Sequence, residues 1–548
     1  MADTARLAAD APVDDRVHRR RWATLAILCV SLLVIVIDNT IVNVALPTLV
    51  RDLGTSVSDL QWVVDAYTLV FAGLLLTAGS LGDRFGRKGA LTVGLVVFGG
   101  ASAAAAFAGG VDSLIAARAV MGIGAALIMP ATLSILTNVF TDARERALAI
   151  GLWSGVAGIA VALGPVTGGF LLEHFWWGSV FIVNVPIVVA AIVAGHFLVP
   201  TSRNPTRPKL DLVGAGLSIV GLGALVAAII ETPSNGWTSP LILAGFATAV
   251  VSLAAFVWWE RRIDEPMLDV RFFANPRFTA ASMNVALVFF ALFGFIFLAT
   301  QYLQFVLGYS AFEAGLRTLP FAFALMVLAP LSSKAVQWFG TKRVVVTGML
   351  LFSSGLVVAS TATVGSGYPR VMFAMVLMGA GMGLSVAPAT ESIMGALPLH
   401  QAGVGSAVND TSREVGGALG VAIVGSLLSS LYSSNLNAKL PANVPSQVRD
   451  AADQSVGAAL QVSAQLGRVG APLADAARES FVYAMSRASL VTAAVALVGA
   501  LLAWRFLPAR AAQVDELAVP DLEAPETETP ETETPDLEAP ATELTPAS

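Results

Sequence analysis

The chain has 548 residues, 56% of them hydrophobic and only 13% charged, with a mean hydropathy of +0.74 and a formal charge of −6. A charged share about half that of soluble proteins excludes a water-soluble enzyme or nucleic-acid binder and marks a polytopic membrane protein. The single cysteine, Cys29, lies in the first apolar run, so no intramolecular disulfide can form.

The N-terminal arm, 1–21, is polar and ends in the basic run Arg16, Arg19, Arg20 and Arg21. Fourteen apolar runs of membrane-crossing length follow. Six lie in 22–199 (about 22–46, 59–80, 90–109, 113–138, 147–171 and 179–199), two in 200–277 (211–231 and 239–259) and six in 278–507 (278–305, 312–333, 343–363, 370–394, 404–430 and 484–507). The expected fold is all-α, two six-helix bundles with two inserted helices between them. The stretch 431–483, rich in Ser, Ala, Asn and Gln, is expected to be an extracytoplasmic loop with a short helical lid. The tail, 508–548, carries eleven acids against Arg510 and repeats Pro-Asp-Leu-Glu-Ala-Pro at 520–525 and 535–540, a composition that predicts disorder. Without that tail the net charge is +4.

An even number of spans puts both termini on one side. The arm, the loops on its side and the tail carry 22 of the 32 Lys and Arg residues, whereas the short opposite loops carry only Arg51 and Arg370 and the long one four. The positive-inside bias then predicts both termini in the cytoplasm and a place in the cell membrane.

The sequence also repeats. Met121-Gly-Ile-Gly in span four recurs as Met378-Gly-Ala-Gly in span twelve, 257 positions on, and Phe85-Gly86-Arg87-Lys88 recurs as Phe339-Gly340-Thr341-Lys342, 254 positions on. Two matches at nearly one offset predict related bundles with a substrate site near the midplane between them, the plan of many secondary transporters.

The charged stretch Gly79-Ser80-Leu81-Gly82-Asp83-Arg84-Phe85-Gly86-Arg87-Lys88 is read as a short turn between spans two and three. Its cations fit the inside bias, but an ordinary basic loop explains neither Asp83 nor the spaced glycines. In the second copy Gln337 and Thr341 replace Asp83 and Arg87, so the first turn is expected to carry more of the gating.

Ionisable groups inside spans cost about 2.5–3.5 kcal/mol each on insertion scales, so each needs a partner or a task. At 1.5 Å per residue, Asp38, Asp65 and Arg118 fall roughly 13, 9 and 8 Å below the outer ends of their spans. They are expected to share one hydrated cavity in which a carboxylate takes up and releases a proton against a permanent guanidinium. An ion pair that only holds helices together is the structural alternative. Arg413 and Glu414, neighbours on one helix, point about 100° apart and need not pair. Glu414 is read as a second substrate or coupling carboxylate, and Glu391, Glu313 and Arg317 as gate or interface residues. Trp62, Tyr67, Phe290, Phe293, Phe295 and Met382 are candidate surfaces for lipophilic cations.

Several of these motifs carry a resemblance. Gly79 to Lys88 resembles the loop signature of the major facilitator superfamily. Asp38-Asn-Thr-Ile-Val-Asn43-Val-Ala-Leu-Pro47 is similar to the first-span signature of its fourteen-span drug:proton antiporter branch, and Phe181-Ile-Val-Asn184-Val-Pro186 fits the same branch. Arg118-Ala-Val-Met-Gly122-Ile-Gly124 resembles the fourth-span motif whose arginine is linked to proton transfer. Gly158, Gly164, Pro165, Gly168 and Gly169 are similar to the fifth-span motif of antiporters. The resemblance implies a major facilitator fold, export of lipophilic, often cationic, compounds in exchange for protons by alternating access, no cofactor, and action as a monomer. A dedicated exporter of an endogenous metabolite, lipid or self-made antibiotic would use the same residue types. An ATP-driven pump or metalloenzyme is disfavoured: there is no Gly-Lys dipeptide for a Walker A loop, no His-Glu-x-x-His, and His18, His174, His196 and His400 have no metal-ligand spacing.

Overall fold

The computed structural model describes residues 15–140, 142–201, 211–263, 266, 268–396, 402–441 and 444–509. It divides into 1–510 and a separate unit, 511–548. The acidic tail and the first part of the arm lie outside the described residues.

Among the described residues every regular element is helical. The N-terminal part holds α1 (Asp15–Leu53), α2 (Val57–Phe85), α3 (Arg87–Ala106), α4 (Val111–Val139), α5 (Ala143–His174) and α6 (Ser179–Leu198). The inserted pair is α7 (Leu212–Asn235) and α8 (Pro240–Glu260). The C-terminal part holds α9 (Pro276–Val306), α10 (Ala311–Phe339), α11 (Thr341–Ser360), α12 (Tyr368–Met394), α13 (Ala402–Lys439), the short α14 (Ser446–Gln454) and α15 (Val456–Gln465), and α16 (Ala471–Phe506). Among the described residues twelve helices are long and apolar enough to cross a membrane: α1, α3, α4, α6 to α13 and α16. The long α2 and α5 pack among them, α2 on α4 and α5 on α1.

Hydropathy predicts helix interiors better than helix ends. The basic residues 15–21, expected as an arm, are already the first turns of α1, and α13 and α16 run further into 431–483 than expected. What remains of that stretch folds mainly as α14 and α15. Gly457 of α15 sits so close to Val50 and Phe305 that no Cβ fits, and Gln461 Nε2 donates to the Arg51 carbonyl at 2.7 Å. Local caps set other starts. Ser56 Oγ accepts from Asp59 N while the Asp59 carboxylate accepts from Ser56 N at 2.8 Å, and Ser310 with Glu313 does the same for α10.

The repeat is visible as packing. Gly122 lies on the α2 backbone at Tyr67, and its counterpart Gly379 lies on the α10 backbone at Phe321. Gly124 faces Gly94 and Phe98 of α3, and Gly381 faces Gly348 and Phe352 of α11. Each site admits the neighbouring backbone only because the side chain is a hydrogen. Gly86 (φ 121°) and Gly340 (φ 83°) reverse the chain at matching places in the two copies.

The two halves meet at the end distal to Asp15 and Phe506. There Arg51 donates to Gln304 Oε1 at 3.2 Å, Gln304 Nε2 to the Val44 carbonyl at 3.0 Å, and Gln61 Nε2 to the Ala422 carbonyl at 2.8 Å. Phe170 meets Phe312 edge-on. At the proximal end the bonds stay within one half: Arg21 to Glu145, Arg87 to the Ser134 carbonyl, Lys88 to the His196 carbonyl. Phe85, Trp338 and Phe339 stand exposed there. Among the described residues the halves are therefore bonded to each other distally, and the proximal bonds named run within the N-terminal half. Helix α7 lies along the seam between α2 and α13. Trp62 Nε1 donates to Glu231 at 3.2 Å, Ser426 Oγ donates to the Ile229 carbonyl at 2.7 Å, and Leu69, Val226, Ile230, Ala418 and Ala422 form a small core between them.

Candidate functional site

Five helices of the N-terminal half meet in one network around a carboxylate. Asp38 of α1 accepts from Arg118 Nη1 of α4 at 2.5 Å and, on its other oxygen, from Asn184 Nδ2 of α6 at 2.8 Å. Asn184 also donates to Ser102 Oγ of α3 at 3.1 Å, and that hydroxyl donates to the Phe181 carbonyl at 2.8 Å. Arg118 Nε donates to the Val63 carbonyl of α2 at 3.0 Å, and its guanidinium stands 4.3 Å from the centre of the Tyr67 ring. Asp38, Arg118 and Asn184 are all 0% exposed. A charge this deep persists only if it is paired and hydrogen-bonded, and both Asp38 oxygens are.

Asp65 differs. It is equally buried, yet among the described residues neither of its oxygens has a hydrogen-bond partner and no ion pair is formed. Tyr67 Oη and Arg118 Nη2 are buried without partners as well. Each such atom costs about 1–3 kcal/mol, so a cluster of them is either strain kept for a task or room for a proton or a guest. The expectation of one hydrated cavity for the three charges needs correcting for this conformation. The structure joins Asp38 to Arg118, leaves Asp65 unpaired, and seals all three from solvent. The depths shift too, because α1 runs on to Leu53 and places Asp38 about 22 Å from that end.

Asn43 is buried and its amide donates to the Asn39 carbonyl of its own helix. In the charged stretch, Gly79 to Phe85 belong to α2, Gly86 is the one non-helical residue, and Arg87 and Lys88 open α3. The expected turn is thus a single residue, because a positive φ at Gly86 lets one helix end where the next begins. Gly79 contacts Pro130 and Gly82 approaches Ala90, while Arg84 stacks on Phe85. The Asp83 side chain lies outside what is described.

The fifth-span glycines are contact surfaces. On α5 (which contains Pro165), Gly164 faces Thr40 and Ile37 of α1 and Gly168 faces Ile41, too near in each case for a Cβ. Gly169 instead faces the Ala311 and Phe312 backbone of α10, and Gly315 of α10 abuts the Pro165 carbonyl. Gly158 falls within α5. In α13, Arg413 pairs with Asp410 at 3.8 Å and stands 5.4 Å from the Phe289 ring, so its partner is not Glu414. Glu391 is exposed near the proximal end of α12. Ser102, Gln61, Gln304 and Asp410 carry no motif in the sequence, and Asn184 stands out there only as part of one. The available signal was a polar side chain in an otherwise apolar run. Among the described residues no cluster of His, Cys, Asp or Glu is placed to hold a metal.

A family model described as the Major Facilitator Superfamily matches residues 28–421. The chain belongs to the Major Facilitator Superfamily. It is therefore a multi-pass membrane transporter and not an enzyme. Among relatives within the superfamily, the "Multidrug efflux pump LfrA" of Mycolicibacterium smegmatis is 38% identical over 494 residues, 89% of this chain and 97% of that protein. The "Tetracenomycin C resistance and export protein" of Streptomyces glaucescens is 35% identical over 91% of this chain and 93% of its own length. The "Methyl viologen resistance protein SmvA" of Salmonella typhimurium is 34% identical over 85% and 94%. The fold is shared with a bacterial homologue of the human lysosomal transporter Spinster, at a TM-score of 0.63 and 19% identity over 90% of this chain and 98% of that one.

Proposed function

We propose that the chain is a secondary active multidrug exporter that moves lipophilic, often cationic, compounds out of the cell in exchange for protons. The superfamily membership and the names of relatives over nearly the full length support export of drugs. The observation that carries the proton half is the buried Asp38–Arg118–Asn184 network together with an equally buried Asp65, whose oxygens have no hydrogen-bond partner. In this reading Asp65 exchanges the proton, Asp38 and Arg118 hold the helices that change its surroundings, and Glu414 with Arg413 meets substrate from the C-terminal half. Gly79, Asp83, Arg84, Gly86, Arg87 and Lys88 latch the proximal end when it closes.

The reading includes fourteen spans, with α2 and α5 joining the twelve apolar helices, both termini in the cytoplasm, and function as a monomer. The halves bonded to each other at the distal end then correspond to a cytoplasm-facing state. Transport of a lipophilic cationic dye into inverted vesicles under an imposed pH gradient tests it. Asp65→Asn is expected to abolish gradient-driven transport while the protein remains folded in the membrane. Undiminished transport in both Asp65→Asn and Asp38→Asn would remove protons from the mechanism. A dedicated exporter, favoured by relatives named for single compounds such as the tetracenomycin C protein, would ignore most of a panel of toxic cations.

A further inference from the structure

The proximal end of α8 carries a feature that transport does not use. Leu253, Ala254, Val257 and Trp258 line an apolar groove of about 680 Å³ that ends at Arg261 and Arg262. A second hollow of about 560 Å³, lined by Arg261, Val270, Arg271, Phe273 and Ala274, adjoins it and shares Arg261. The helical turn Val270–Ala274 leads into α9, so three guanidiniums from two elements converge on one rim. All three arginines are exposed, and Arg262 lies 4.2 Å from the centre of the Trp258 ring, an aromatic at the depth where membrane and water meet.

The described acids nearby are engaged elsewhere. Asp211 accepts from Gly214 N and from Trp259 Nε1 at 2.8 and 2.9 Å. Glu260 is 1% exposed and accepts from Leu268 N. Asp269 caps Arg271 N and reaches its guanidinium only at 4.0 Å. Arg261 and Arg262 have no ion-pair partner among the described residues. Arg271 Nη2 also donates to the Arg261 carbonyl at 3.4 Å, which draws the rim together. An apolar channel along α8, closed by cations of which two have no described acid partner, suits an acyl chain topped by an anionic phosphate.

We infer that this rim is a binding site for an anionic phospholipid, whose phosphate is held by Arg261 and Arg271 with Arg262 alongside, and whose acyl chain lies along Leu253, Val257 and Trp258. Cations on the inner side are common, and what sets these apart is that they close an apolar groove with Arg261 and Arg262 free of acid partners among the described residues and Arg271 only loosely paired, to Asp269 at 4.0 Å. Asp264 and Glu265 follow in sequence and lie outside the described residues. If they neutralise the rim, the experiment will find no effect.

Native mass spectrometry of the purified full chain in mild detergent, with added phosphatidylglycerol, phosphatidylcholine or inorganic phosphate, decides it. Arg261→Ala/Arg271→Ala is expected to retain about thirtyfold less phosphatidylglycerol, since each of the two charges contributes about 1 kcal/mol. Phosphatidylcholine retention and the unfolding midpoint should stay unchanged. Arg505→Ala, a cation at the proximal end of α16, is expected to change retention little, and Arg261→Lys/Arg271→Lys to restore most of it. An equal loss in Arg505→Ala, no loss in the double variant, or full displacement of lipid by millimolar phosphate would each overturn the assignment.

Discussion

Replacing Gly315 by Leu should prise open the distal seal. In the structure Gly315 of α10 abuts the Pro165 carbonyl of α5, and the contacts around it include Gly169 on Ala311 and Phe170 on Phe312. A Cβ at position 315 would run into backbone, which cannot rotate away as a side chain can. Leucine also gains about 0.8–1 kcal/mol of helix propensity over glycine, but that gain is the same whichever way the transporter faces and cancels from the comparison. What does not cancel is the overpacking, about 1–3 kcal/mol, felt only where α5 and α10 touch. The balance between distally closed and distally open states should therefore move about 5- to 150-fold toward open. Val50, 0% exposed and close to Gly457 and Phe305, can report it. With Cys29→Ser and Val50→Cys, a membrane-impermeant maleimide added to intact cells should label the Gly315→Leu protein about tenfold faster than the Gly315 parent. Unchanged labelling of a folded Gly315→Leu protein would mean that this glycine contact plays no part in closure.

Two further outcomes follow from the same packing and charge arguments. Gly122→Val and Gly379→Val occupy matched places in the two copies, each against the backbone of a neighbouring helix, so each should lower the thermal unfolding midpoint by an amount equivalent to about 1–3 kcal/mol. Free tolerance of either would break the structural equivalence of α4 and α12. Arg118→Ala should cost about 3–5 kcal/mol because it strands the buried Asp38 charge, while Arg118→Ala/Asp38→Asn should recover a large part of that loss. Folded yield after detergent extraction measures both, and a double variant no better than the single one would deny that charge is what the pair balances.

The helices were legible because hydrocarbon tolerates little besides apolar side chains, so each span is written as a run of them. Their ends were not, because a helix continues into polar sequence wherever its backbone bonds are still satisfied. Thus α1 starts among arginines, α13 runs on to Lys439, and Gly79 to Phe85 stay helical despite two charges. The repeat was legible through glycine, since close backbone approach admits nothing larger, and Gly122 and Gly379 then proved to sit on equivalent backbones. The site was half legible. The expense of burying a charge singled out Asp38 and Arg118, and they meet, but an amide carries no such penalty, so Asn184 drew no weight although it fills the second Asp38 oxygen. The same reasoning separates the two aspartates. Asp38 is held from two other helices, by Arg118 of α4 and Asn184 of α6, with bonds that survive as long as the N-terminal half stays rigid. Asp65 has nothing to release, so its protonation can follow whatever water or guest reaches it when the seam at Gln61, Ala422 and Ser426 parts. A proton exchanged at Asp65 would thus be coupled to motion between the halves, and Gln61→Ala, which weakens that seam one turn from Asp65, should change the rate of coupling in the vesicle assay more than Asn43→Ala, whose amide bonds only within α1.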